Sequence, residues 1–367
     1  IEGFSGKQGQ KELFIRFTSF LSPPVVFHYH LERGTLQPFG PNKLAFDGDE
    51  YEVSQVFYPS KDGTQVSMFL VHQKGLQLDG GNPTLLYGYG GFNIPVTPAF
   101  SAVRLLWLEL GGVYAVANLR GGSEYGEKWH RAGMLENKQN VFDDFIAAAE
   151  WLIENGYTNP SKLAIEGRSN GGLLVSACMV QRPDLYGAVL CIVPVTDMLR
   201  YHKVTVGRYW IPEYGNAEEN PEHFEFMYRY SPLHNVKAAD YPATFVITGE
   251  GDDRVVPSHA YKFFATLQEA QRSSAPVLLR VDTKSGHGHG KPIAKIIDEK
   301  LGRDKGATEK QIKFIKDRAG HDRRYAIDAS KIEKAILKAM QCGSGIVDSK
   351  CAHDIAVEIE NWHQFSD

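Results

Sequence analysis

Cysteine is scarce, with four residues in a chain of 367. Cys178 and Cys191 lie in apolar stretches and read as small core residues, while Cys342 and Cys351 lie in a polar tail, so no disulfide framework is expected. No apolar run approaches the roughly 20 residues of a membrane helix. The opening Ile1-Glu2-Gly3-Phe4 has neither the basic nor the apolar region of a signal peptide, so none is expected. Asn82 and Asn159 each precede a hydroxyl residue by two positions, but proline follows both, which removes them as glycan acceptors. Positive charge is not in excess either: 40 Lys and Arg stand against 44 Asp and Glu, a net charge of -4. Without a basic stripe, nucleic acid is not an expected partner. No G-x-G-x-x-G run occurs, so no dinucleotide cofactor is expected, and no metal is called for. These absences describe a protein of a reducing compartment, the cytoplasm by default.

What is present suits a large core. At 43% hydrophobic and 23% charged, the chain reads as one large domain with appendages. Val113-Tyr114-Ala115-Val116-Ala117 is a strand candidate. The segment from Val141 to Ile153 carries apolar residues at i, i+3 and i+4 and predicts an amphipathic helix ended by Gly156. This alternation predicts an α/β fold with a mostly parallel sheet covered on both faces. The first 75 residues differ, because Phe14–Thr18 and Val25–Leu31 alternate as antiparallel strands do.

The most informative stretch is Gly167-Arg168-Ser169-Asn170-Gly171, a G-x-S-x-G directly after the apolar run Leu163-Ala164-Ile165. It has the form of a nucleophile elbow, in which a serine is held exposed on a tight strand-to-helix turn and glycines let the two backbones pass closely. The following segment, Gly172 to Cys178, has the apolar spacing of a buried helix. A nucleophilic serine needs a base, and the base needs an orienting carboxylate. Val246-Ile247-Thr248-Gly249 runs into a loop holding Asp252 and Asp253, and Leu278-Leu279-Arg280-Val281 runs towards Gly286-His287-Gly288-His289-Gly290. Ser, Asp and His thus follow in the chain order of an α/β-hydrolase, each after a strand.

At this length of shared wording the chain resembles the hydrolase domain of the prolyl oligopeptidase family, serine peptidases that cleave after proline. The matching segments are Leu86–Asn93, Asn118–Gly122, Gly167–Val175, Asp252–Pro257 and Asp282–Gly288, and the likeness runs from about the N-terminus to about residue 298. The resemblance implies an α/β-hydrolase fold with Ser169 as nucleophile, Asp252 as triad acid and His287 as general base. Asp253 and His289 are the competing carboxylate and imidazole. It further implies an oxyanion hole made by the Asn170 backbone N–H and the Tyr89 hydroxyl. A proline slot would be lined by Phe92, Trp210 and Val255 and closed by Tyr214, with Arg254 donating to a substrate carbonyl. Proline-containing peptides would be the partners. The N-terminal strands resemble the last piece of the family's β-propeller.

The expected organisation is therefore an N-terminal β segment over 1–75, a catalytic domain over 76–298 and a tail over 299–367. Since only a propeller remnant is legible, an open active-site mouth that admits large unstructured polypeptides is expected. Part of the tail, about 306–330, resembles a segment of nucleotide-sugar 4,6-dehydratases, with Arg318 and His321 at positions that contact nucleotide there; no upstream dinucleotide-binding unit supports that activity. Two other readings compete with the peptidase: a weakened or inactive binding domain, and a general esterase on the same fold.

Overall fold

A computed structural model describes residues 1–7, 9–40, 46–283 and 285–287. They separate into a large unit, comprising 1–4 and the described residues of 9–283, and a small one that includes 5–7 and 285–287. The expected tail, the dehydratase-like stretch within it, His289, Cys342 and Cys351 lie outside the described residues.

The alternating N-terminal stretches form a four-stranded sheet of β1 (Gly3–Ser5), β2 (Glu12–Phe17), β3 (Val25–His30) and β4 (Thr35–Pro38), in that order. The pairs β2–β3 and β3–β4 are antiparallel. A hairpin follows, β5 (Tyr51–Pro59) and β6 (Gln65–Gln73), turned at Gly63 with φ 84°. It leads into β7 (Thr84–Tyr87), α1 (Ala102–Glu109), β8 (Val113–Ala117), α2 (Glu127–Arg131), α3 (Gln139–Glu154), β9 (Leu163–Arg168), α4 (Asn170–Gln181) and β10 (Ala188–Ile192). Beyond an excursion carrying α5 (Ile211–Tyr214), α6 (Pro221–Tyr230) and α7 (Pro232–Asn235), the chain closes the sheet with β11 (Ala243–Gly249), α8 (Ser258–Ala270) and β12 (Val277–Asp282).

The second sheet has eight strands in the order β12-β11-β10-β9-β7-β8-β6-β5. From β12 to β8 all neighbours are parallel, while β6 is antiparallel to β8 and β5 to β6. The sequence reading placed β5 and β6 in the N-terminal segment. That segment was expected to hold both a propeller remnant and the lead-in to the hydrolase domain; β6 joins the large sheet along β8 and β5 forms its edge, because an alternating strand fits either sheet and pairing decides between them.

β8 shows how sequence sets position. All five of its residues are buried, the mark of a strand covered on both faces. Ala115 and Ala117 join one core with Phe142 and Phe145 of α3 and Leu173 and Leu174 of α4. Tyr114 and Val116, facing the other way, join Leu105 and Leu108 of α1 and Phe20. The Phe20 ring stands edge-on to Phe69 and Tyr114, with centroids 5.6 and 6.0 Å away. Among the described residues no helix is long and apolar enough to cross a membrane.

Candidate active site

The parallel strands β9 and β11 end on the same edge of the sheet, the edge where open α/β sheets place ligands. β9 ends at Arg168, and α4 begins at Asn170. Ser169 between them has φ 57° and ψ -116°, a conformation that a side-chain-bearing residue holds only when its surroundings over-determine it. The Ser169 N–H donates to the Ile192 carbonyl at 2.9 Å and its carbonyl accepts from Leu173 at 3.1 Å. A Cβ on Gly167 would collide with the Gly171 carbonyl oxygen, so the turn closes only with glycine there. Ser169 itself is half-buried and stands at the positive end of α4.

Asn170, as the first residue of α4, has no carbonyl of its own helix to receive its backbone N–H. Its side chain does more than the sequence shows. Nδ2 donates to the Tyr89 carbonyl at 2.5 Å, and Oδ1 accepts from the Tyr214 hydroxyl at 2.7 Å. The buried amide thus ties the loop after β7 to α5. Gly91 is what lets them meet, since a Cβ there would sit 2.7 Å from Asn170 Nδ2. Burial pushes the Tyr89 hydroxyl up to about 12, against the positive charge of Arg254, so it keeps its proton at neutral pH.

The aromatic residues meet as the sequence grouped them. Phe92 stands edge-on to Trp210 (6.4 Å between centroids) and to Tyr214 (5.3 Å). Tyr201, which sequence reasoning missed, stacks on Trp210 at 6.2 Å with its plane 11° away. Phe92 and Trp210 keep some exposed surface; Val255 and Tyr214 are buried. Tyr214, expected to close the slot, is fully buried, and Asn170 supplies the hydrogen-bond partner that a buried phenol needs.

On the loop after β11, Asp252 is 3% exposed and Asp253 is exposed. Asp252 Oδ1 accepts from the N–H groups of Arg254 (3.0 Å) and Val255 (2.9 Å), which sets the carboxylate's direction. Arg168 and His259 both feel its charge. Arg254 extends into solvent from this turn. His287 is half-buried and belongs to the small unit, and Ser169 and Asp252 belong to the large one. No group of three or more His, Cys, Asp or Glu among the described residues is placed to hold a metal ion.

The loop after β8 is held by ion pairs and is bonded to the loop after β7. The Arg120 guanidinium binds Asp144 of α3 at 2.6 Å and Asp62 of the β5–β6 turn at 2.5 Å, with Ser60 donating to Asp144. Gly121 of the same loop accepts from Asn93 at 3.1 Å.

The profile described as Prolyl oligopeptidase family matches residues 98–302, more than half of the chain. The chain belongs to the prolyl oligopeptidase family. It is 50% identical over 298 residues to a prolyl endopeptidase of Elizabethkingia miricola, covering 81% of this chain and 42% of that protein. A structure from a mechanistic study of two prolyl endopeptidases superposes with a TM-score of 0.75 at 51% identity, covering 78% of this chain and 42% of the other. Prolyl oligopeptidase B of Galerina marginata, bound to a 35-residue hydrolysis and macrocyclization substrate, superposes with a TM-score of 0.73 at 41% identity, over 77% of this chain and 40% of the other. The chain therefore spans about two fifths of the length of the relatives it matches. The large sheet with its elbow is the α/β-hydrolase domain of this family.

Proposed function

We propose that the chain is the catalytic portion of a serine peptidase that cleaves on the carboxyl side of proline through an acyl-enzyme. The observation that carries this reading is the strained Ser169 turn, set between the Asn170 N–H and a loop bearing a protonated Tyr89. In this reading Ser169 Oγ attacks the proline carbonyl carbon while His287 takes the hydroxyl proton and Asp252 orients the imidazole. The oxygen that gains negative charge is met by the Asn170 N–H and the Tyr89 hydroxyl, donors worth on the order of 3 kcal/mol each. His287 then protonates the departing amine, and water releases the acyl group by the reverse proton path. Phe92 and Trp210 flank the proline ring, Val255 and Tyr214 support them, and Arg254 donates to a substrate carbonyl from its fixed fork. Proline-containing peptides are the substrates in this reading, and the free, buried Cys178 and Cys191 support action in the cytoplasm.

The experiment compares hydrolysis of a blocked proline amide, its alanine counterpart and a simple ester, in the chain and in Trp210→Ala. Loss of the indole face is expected to lower kcat/KM for the proline amide about 30-fold, near 2 kcal/mol of transition-state binding, and to change ester hydrolysis by less than about 3-fold. Equal proline and ester losses would remove the proline slot and leave a general esterase. The Galerina relative's 35-residue substrate sets a useful upper length for the peptides assayed.

A further inference from the structure

Behind the aromatic wall lies a buried group of charges that no motif announces. Glu213, between Pro212 and Tyr214 on α5, is 5% exposed. Its Oε1 accepts from the Phe92 N–H at 3.0 Å and lies 3.5 Å from Lys138 Nζ, while Oε2 lies 2.8 Å from His130 Nε2. Lys138, the residue before α3, is 1% exposed, donates to the Gly90 carbonyl at 2.8 Å and places its ammonium 5.3 Å over the Tyr214 ring. Burial pushes the Lys138 ammonium down from its ordinary range, and the Glu213 carboxylate opposes that shift.

Both charges hold the same short loop, at Gly90 and Phe92. That loop is strained: Gly90, Phe92 and Asn93 have φ of 61°, 57° and 56°. Glycine adopts this region freely, whereas a bulky aromatic residue does so only when its surroundings enforce it. A neutral side chain in place of Glu213 would leave the Phe92 N–H with a weaker acceptor, because hydrogen bonds to an ionised group are roughly twice as strong. The loop carries Tyr89 and Phe92, and α5 begins directly after Trp210.

We propose that Glu213 and Lys138 are positioning residues, a charge clamp that holds the strained Gly90–Asn93 loop against α5 and so sets the selectivity for proline over a smaller residue before the scissile bond. The selectivity part rests on the peptidase reading. The clamp part does not.

The test uses the full chain with Glu213→Gln, Lys138→Met and the double variant. Glu213→Gln leaves the Lys138 ammonium buried without a carboxylate, and Lys138→Met leaves Glu213 with only His130 and the Phe92 N–H; both are expected to lower the melting temperature, Glu213→Gln more, whereas the double removes both charges and is expected to recover most of that loss. Two readouts are then compared with wild type: hydrogen exchange at the Phe92 amide, and the proline-to-alanine ratio of kcat/KM on blocked dipeptide amides. In the double variant we expect Phe92 exchange to quicken at least 10-fold and the ratio to fall about 10-fold despite recovered stability. Glu213→Gln alone, which keeps an acceptor for Phe92, is expected to shift both by about 3-fold. A stable double variant with wild-type exchange and ratio would show that the two charges merely neutralise each other, and would overturn the proposal. If wild type hydrolyses no amide, the peptidase reading fails, and Phe92 exchange still decides the clamp.

Discussion

Ser169→Ala is expected to lower kcat on a proline amide by about 10⁵- to 10⁶-fold while moving the melting temperature by less than about 2 °C. The size follows from the unit in which the hydroxyl acts: without a nucleophile, a correctly placed base has nothing to deprotonate, and only donors to the carbonyl oxygen remain. A residual rate above the uncatalysed one is therefore part of the expectation, carried by the Asn170 N–H and Tyr89. The small thermal effect follows from position. Ser169 is half-buried, its backbone bonds to Ile192 and Leu173 survive the change, and alanine meets the same strain at φ 57° as serine. A variant with near wild-type turnover would remove Ser169 from the chemistry, and one that fails to fold would show that the hydroxyl is structural.

Acid is expected to destabilise the large unit through His259, a residue the sequence did not single out. This side chain on α8 is 3% exposed, and its Nδ1 accepts from the N–H groups of Thr196 (3.2 Å) and Asp197 (3.1 Å). A proton on Nδ1 would break both bonds. Burial accordingly depresses the folded-state value to about 4, the nearby Lys262 adding to this and the Asp197 and Asp252 carboxylates opposing it. In the unfolded chain a histidine titrates near 6.5. Between about pH 6.5 and 4 the unfolded chain therefore binds a proton that the folded chain refuses, so stability falls as pH falls. The full loss, reached below about pH 4, is roughly 3 kcal/mol. Denaturant unfolding at pH 7 and 4.5 should show wild type losing about 2 kcal/mol more than His259→Asn, whose carbonyl oxygen can still accept from the two N–H groups. Equal losses in the two proteins would place the acid sensitivity elsewhere.

The sequence carried a great deal of this site because the family's machinery lies in short contiguous segments. Ser169 and Asn170 share one segment, Asp252 and Val255 another, and Asp252 is buried beside an exposed Asp253. Strand identities were legible where burial on both faces forced continuous apolar runs, as in β8. The allegiance of β5 and β6 was not, since a period of two says that a strand has two faces and nothing of which sheet receives it. Contacts between distant segments were equally silent. Glu213 and Lys138 look like ordinary charged residues in a one-dimensional reading, and only their joint hold on Gly90 and Phe92 gives them meaning. Tyr214 lies beside Phe92 and Tyr201, but its bond to Asn170 depends on a side chain 44 positions away, which a one-dimensional reading does not reach.

The central claim, an activated serine at the elbow of a proline-directed site, is tested most directly by labelling the intact chain with a phosphonate that carries a proline residue and mapping the adduct by mass spectrometry. Reaction requires an attacking hydroxyl, a base to activate it and donors for the developing oxyanion, so it reports the assembled site without depending on a chosen peptide. One phosphonate per chain is expected, on Ser169, formed faster than with an alanine phosphonate and absent from Ser169→Ala. An unlabelled Ser169 under conditions in which the chain is folded, or an adduct that persists elsewhere in Ser169→Ala, would contradict it.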